Sequence, residues 1–262
     1  VLAYQFPSGG WAKNQNWHWP EIGMKAYERA SVRQQIQSKS GIGSTFDNSA
    51  TIQELQFLSK MYKATGKKIY RKAFLKGFEY MLEAQYDNGG WPQYYPLKIR
   101  EDGSSYDYSV HITFNDDVMT NIMRMMRDIA AGNKAPYDAL KLRKADLKRA
   151  QDAFEKAVDC VLGCQIKRDG KPTVWCQQHH YETLEPVGAR IYEFPSFTGC
   201  GEIPKVLELL MEIENPSDEL KVAIEGAVEW LRNHAIYGYR HETYINEWGM
   251  SDRRLVPDKN AK

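Results

Sequence analysis

Two short segments gather oxygen-bearing side chains: Phe46-Asp47-Asn48-Ser49-Ala50-Thr51 and His111-Ile112-Thr113-Phe114-Asn115-Asp116-Asp117. Each stands just ahead of a stretch with helical periodicity. Carboxylate and amide oxygens are ligands for a hard cation such as Ca²⁺, not for zinc. Adjacent carboxylates repel, so Asp116 and Asp117 suit an exposed or cation-bound place better than a buried one. Together Asp47, Asn48, Asp116 and Asp117 offer enough oxygens for a partial, open calcium site. The ordinary alternative is helix capping, in which Asp, Asn, Ser or Thr satisfies free backbone N–H groups and acidic side chains complement the positive helix end. Asn48 or Ser49, and Asn115 or Asp116, can fill that role. The residue types alone leave both readings open.

A third group runs through Trp175-Cys-Gln-Gln-His179-His180-Tyr181, Thr183-Leu-Glu-Pro186 and Ala189-Arg190-Ile-Tyr-Glu-Phe-Pro-Ser196. The ordinary role for Arg190 is a loop ion pair with Glu185 or Glu193. His179 and His180 lack a third nitrogen or thiolate at zinc spacing and read as substrate-side or structural. By residue type alone, an imidazole would be the first choice for a general base. Gly41-x-Gly43 has neither a third glycine nor a preceding strand, so it is no dinucleotide motif. No Walker sequence, Gly-x-Ser-x-Gly or His-Glu-x-x-His occurs.

The elements that must position these residues are mostly helical. Apolar residues at helical spacing mark Ile52, Leu55, Leu58, Met61 and Tyr62, ended by Gly66, and then Tyr70, Ala73, Phe74, Phe78, Met81 and Leu82. Further helices are predicted over 116–131, 145–164, 204–213 and 217–233. Strand signals are short, the best being 172–176 and 238–245. Long aromatic loops at 36–48, 86–115 and 177–200 separate the helices. Loops of that length in a compact domain usually carry function. Paired helices joined alternately by tight turns and long loops suggest a toroid or barrel of helical hairpins, with the loops gathered at one end. Gly9-Gly-Trp11 and Gly89-Gly-Trp91, eighty residues apart, suggest an internal repeat. A Trp on such a turn either offers a flat surface to a sugar or plugs the core.

Composition narrows the partners. The 262 residues carry a formal charge of +1, which gives no sign of a nucleic-acid or membrane partner. No apolar run is long enough to span a bilayer. None of Cys160, Cys164, Cys176 and Cys200 stands in a Cys-x-x-Cys pair, and buried free thiols are expected.

In this order, Gly9-Gly-Trp, Phe46-Asp-Asn, Lys63-Ala-Thr-Gly66, Ala84-Gln-Tyr, Asn88-Gly-Gly-Trp-Pro-Gln-Tyr-Tyr-Pro96, His111-Ile-Thr-Phe-Asn-Asp-Asp117, Trp175-Cys-x-Gln-His179, Leu184-Glu-Pro and Ala189-Arg-x-Tyr-Glu193 resemble the pectate lyases of polysaccharide lyase family 10. The resemblance covers most of the chain. It implies a mainly α fold, an (α/α) toroid-like incomplete barrel of helical hairpins with long irregular loops and a few short strands. It also implies a single catalytic domain over 1–262, short of a C-terminal stretch that family members generally carry beyond the part like Trp248–Pro257. The implied activity is β-elimination on de-esterified homogalacturonan, with Ca²⁺ as cofactor and Arg190 as the base. Asp47, Asn48 and Asp117 become metal and substrate ligands, with Asp116 a neighbour in the same set. Lys13, Trp11, Trp91, Tyr95, His111 and His179 become the wall of a substrate trench, Lys13 pairing with uronate carboxylates. A monomer, secreted or periplasmic, is expected from the substrate. Around Phe197-Thr-Gly-Cys-Gly-Glu202 the chain departs from the family's more usual Ser and Glu about a Gly.

Three rivals stand beside this reading. A glycoside hydrolase would use Asp47 and Asp117 as a carboxylate pair, without calcium and without unsaturated products. A non-catalytic uronate-binding module would keep its affinity when Arg190 is lost. A diphosphate-binding terpenoid cyclase would need a further carboxylate near Asn115-Asp-Asp-Val-Met.

Overall fold

The apolar periodicity is realised as six amphipathic helices among the described residues, which in this computed structural model are 1–13, 43–98, 107–188 and 202–261. Helices α1 (Ile52–Thr65) and α2 (Lys68–Glu83) form one hairpin, α3 (Val118–Ala130) and α4 (Lys144–Cys164) a second, and α5 (Glu202–Met211) and α6 (Asp218–Asn233) a third. Gly66 ends α1 in the left-handed conformation, where its N–H donates to Tyr62 O at 2.8 Å. Ser217 caps α6, its Oγ accepting from Leu220 N–H at 3.1 Å. The core gathers Phe74, Phe78 and Met81 of α2, Phe154 and Val161 of α4, and Leu207 and Leu210 of α5 around α3, whose Met119, Ile122, Met123 and Met126 are fully buried. This is the expected array of helical hairpins with few short strands and no closed barrel.

The repeat is threefold. Gln5, Gln85 and Gln165 stand eighty residues apart and make the same pair of bonds. The Gln5 amide donates to Gly9 O (2.8 Å) and to Ala73 O in α2 (2.9 Å). That of Gln85 donates to Gly89 O (2.9 Å) and to Ala153 O in α4 (2.8 Å). That of Gln165 donates to Thr173 O (2.9 Å) and to Ala223 O in α6 (2.8 Å). One amide thus ties each turn to the second helix of its hairpin. Behind each turn a buried indole N–H finds a carbonyl: Trp11 on Val1 O (3.0 Å), Trp91 on Met81 O (2.8 Å) and Trp175 on Val161 O (2.8 Å). The third unit has no Gly-Gly pair and carries an inserted hairpin, β2 (Lys167–Arg168) with β3 (Lys171–Pro172).

A short antiparallel sheet, β1 (Ile112–Thr113), β4 (Gln178–His179) and β5 (Pro186–Val187), links the second and third units, with Ile112 opposite His179 and His179 opposite Pro186. The strand predicted at 172–176 reaches only Pro172. Beyond it Thr173 and Val174 bond with Ile166, and Trp175 enters the core. The strand predicted at 238–245 forms as β6 (Tyr239–Ile245), paired with β7 (Ser251–Pro257) in an exposed hairpin. Cys160 and Cys164 are buried free thiols, Cys176 is buried, and Cys200 lies outside the described residues.

The turn packing sets a clear test. Gly89 has φ +91°, and a Cβ there would meet Lys156 O at 2.1 Å, whereas a Cβ on Gly66 has nothing within 4 Å. Gly89→Ala should therefore destabilise the fold by about 3 kcal/mol or more. Gly66→Ala should cost only about 1–2 kcal/mol, the price of a left-handed Ala. Urea unfolding of both variants checks the difference.

Candidate active site

The two acidic turns are placed by backbone bonds between successive units. Phe46 N–H donates to Gln93 O at 3.0 Å, and Phe114 N–H donates to Gln177 O at 2.8 Å. Gln93 and Gln177 each stand two residues after a buried Trp, Trp91 and Trp175. The peg of one unit therefore fixes the acidic turn of the unit before it. Asn121 Nδ2, on α3, reaches Ser49 Oγ at 3.3 Å and joins the two turns.

Within the turns, Asn48, Ser49 and Thr51, and then Asp116 and Asp117, have φ between 51° and 66°. This is why α3 begins at Val118 and not at the predicted 116. A left-handed conformation is costly for most residues and cheapest, among non-glycines, for Asn and Asp. Among the described residues neither turn makes a side-chain capping bond to its helix. The capping alternative therefore fails, and the carboxylates remain available for other chemistry.

Asp47 is buried and Asp116 exposed, yet their side chains are close enough to hydrogen-bond. Desolvation, and then the charge of Asp47, push the Asp116 carboxyl above its ordinary range, with Glu202 adding to the effect. Lys13 forms an ion pair with Asp47 Oδ2 and also interacts with Tyr94. Burial opposes the Lys13 charge, but these partners outweigh it and hold its pKa above the ordinary value. On the far side, Lys205 Nζ lies 2.5 Å from Asp117 Oδ2. Asp117 Oδ1 is buried and has no hydrogen-bond partner among the described residues. Among the described residues no three His, Cys, Asp or Glu side chains converge as a metal cage. The Asp47–Asp116 pair with exposed Asn48 instead fits a hard cation as an open site. Two carboxylates and one amide are fewer than the six to eight oxygens calcium takes, so oxygens from outside this set must complete it.

Several expected wall residues lie elsewhere. Trp11 and Trp91 are fully buried, with their indole N–H groups bonded to the backbone, so they are core pegs and offer no face to a sugar. His179 is likewise fully buried. Its Nε2 accepts from Cys176 N–H at 3.0 Å, which leaves Nδ1 to donate to Leu184 O at 2.7 Å. It clamps the loop and cannot wall a trench. Tyr95 is half-buried and meets the Tyr80 ring edge-on at 5.7 Å. Its neighbour Tyr94, which sequence reasoning passed over, stands beside Lys13 with Lys98 over its ring at 3.7 Å. His111 is half-buried in a ring stack with His180 and Tyr181, at centroid distances of 5.5 and 6.2 Å. Lys205 was also missed, since it stands 88 positions from Asp117. Arg190 lies outside the described residues.

A family model described as pectic acid lyase matches residues 5–262. The chain belongs to the pectic acid lyase family. A family 10 polysaccharide lyase from Cellvibrio cellulosa shares 32% identity at a TM-score of 0.77, over 99% of this chain and 72% of that one. A mutant of a family 10 polysaccharide lyase from the same organism, in complex with trigalacturonic acid, shares 32% identity at a TM-score of 0.79, over 99% of this chain and 73% of that one. No curated protein sequence matches. The chain is thus a polysaccharide lyase of the pectate lyase type, with two acidic turns at the ends of adjoining repeats.

The clamp role of His179 has a pH signature. Burial drives its pKa down to about 4, against 6.5 for a free imidazole. Between these values the unfolded chain takes up a proton that the folded protein refuses. The His179 contribution to stability is therefore full above about pH 6.5 and falls by about 1.4 kcal/mol per pH unit down to about 4. Urea titrations of the wild type and His179→Gln across this window should show a shallower loss in the variant.

Proposed function

We propose that this lyase cleaves de-esterified homogalacturonan by calcium-assisted anti β-elimination, giving 4,5-unsaturated oligogalacturonides. The observation that supports it most is the meeting of Asp47 and Asp116 across two repeats, with Lys13 at their side. The trigalacturonic acid bound by the mutant relative supports the substrate class.

In this reading Asp47, Asn48, Asp116 and Asp117 hold Ca²⁺. The bound ion would supply positive charge to offset the negative charge that builds on a uronate carboxylate as its C5 proton leaves. Lys13 binds and orients a uronate carboxylate through a charge-assisted hydrogen bond. Arg190 takes the C5 proton. The C5–H electron pair becomes the C4=C5 double bond, the C4–O bond breaks, and the departing alkoxide is protonated by solvent. A guanidinium is protonated at ordinary pH and has no lone pair to offer. Turnover should therefore rise toward alkaline pH. Action outside the cell or in the periplasm follows from the location of the polymer, and the chain acts as a monomer in this reading.

Absorbance of the unsaturated uronate, followed with polygalacturonate at alkaline pH, tests this. Growth of the band should require calcium and fall by about 10²–10⁴-fold in Arg190→Ala. New reducing ends without absorbance would instead show hydrolysis. Retained polymer binding without either signal, in both wild type and variant, would show a binding module.

A further inference from the structure

Asp117 is the carboxylate of the second turn that does not join the Asp47–Asp116 pair. Lys205 holds its Oδ2, and its buried Oδ1 has no hydrogen-bond partner among the described residues. Burying a carboxylate oxygen without a partner is costly, and a cation is the kind of group that removes that cost. Lys205 comes from the first turn of α5, in the third repeat, and its side chain is 49% exposed. The pair is not what fastens α5, because Ile203, Val206, Leu207 and Leu210 bury that helix in the core. An ion pair this exposed contributes little to folding.

An ammonium and a divalent cation compete for the same carboxylate and repel each other when both are close. We propose that Lys205 is the counter-ion of Asp117 in the cation-free enzyme, and that cation binding displaces its ammonium onto a uronate carboxylate of the substrate. This rests on the calcium reading above. Glu202 and Glu208 also act on the Lys205 charge, and homogalacturonan, with one carboxylate per sugar, adds a further anion for the displaced, half-exposed lysine when substrate is present. Cation and polymer then favour each other's binding by reciprocal coupling. Lys13, paired with Asp47, stands in a like relation on the other side of the site.

Calorimetric titration with calcium chloride, and then with trigalacturonate on the calcium-saturated protein, tests this on wild type, Lys205→Met, Lys205→Arg and Lys98→Met. Lys98 is a nearby cation that pairs with Asp107 and lies over Tyr94. Lys205→Met should bind calcium about fivefold tighter and trigalacturonate about fivefold more weakly. Lys205→Arg and Lys98→Met should stay within about twofold of wild type for calcium, as both keep a cation paired with Asp117. Unchanged or weaker calcium binding by Lys205→Met would overturn the counter-ion role. So would an equal gain in Lys98→Met, which would reduce the effect to general charge. Tighter calcium with unchanged trigalacturonate would overturn the hand-over to substrate. Calcium binding to none of the four proteins would overturn the metal reading itself, separately from the role of the lysine.

Discussion

Everything at the acidic centre depends on a backbone clamp between neighbouring repeats. Phe46 N–H holds Gln93 O, and Phe114 N–H holds Gln177 O. Each acceptor is fixed because a buried Trp two residues earlier is pegged to a helix by its indole N–H. The pegs stay in place because a glutamine amide ties each preceding turn to the second helix of its hairpin. Helix packing is thereby passed, one repeat at a time, to the position of a carboxylate. Such a chain of bonds suits a site whose parts come from different units, since residues on separate loops would otherwise drift by more than chemistry tolerates.

The acidic turns are held in a conformation that ordinary helix starts avoid. Left-handed torsions at Asn48, Asp116 and Asp117 turn the side chains away from the helix N–H groups they would otherwise cap. Strain of this kind persists only when the surroundings over-determine it, and the cross-repeat bonds do so here. Three carboxylates brought near each other are then balanced by Lys13, Lys205 and the raised affinity of Asp116 for a proton. In the function proposed above, a cation and an anionic polymer take over this balancing when they bind.

Much of this was legible in the sequence. The helices followed from apolar spacing, and Gly66 and Ser217 marked their ends as expected. Asp47, Asn48, Asp116 and Asp117 stood out because their types and loop-end positions suit a hard cation. Two Gly-Gly-Trp turns disclosed the repeat, but its third member was hidden by the inserted β2–β3 hairpin and by Thr-Val in place of Gly-Gly. Trp11, Trp91 and His179 were misplaced for one shared reason: a polar ring atom that could have met a sugar is instead satisfied by the backbone within the core. No local pattern encodes that choice. Lys205 and Tyr94 were missed because their roles come from contacts across repeats, and a lysine in a helix or a tyrosine in a loop carries no signature of its own.

The central claim is that the clamped turns form one cation site. Anomalous diffraction from crystals grown with calcium tests it most directly. The account predicts a single strong peak between the turns, about 2.3–2.6 Å from carboxylate oxygens of both Asp47 and Asp116. A peak elsewhere, or none between the turns at saturating calcium, would contradict it.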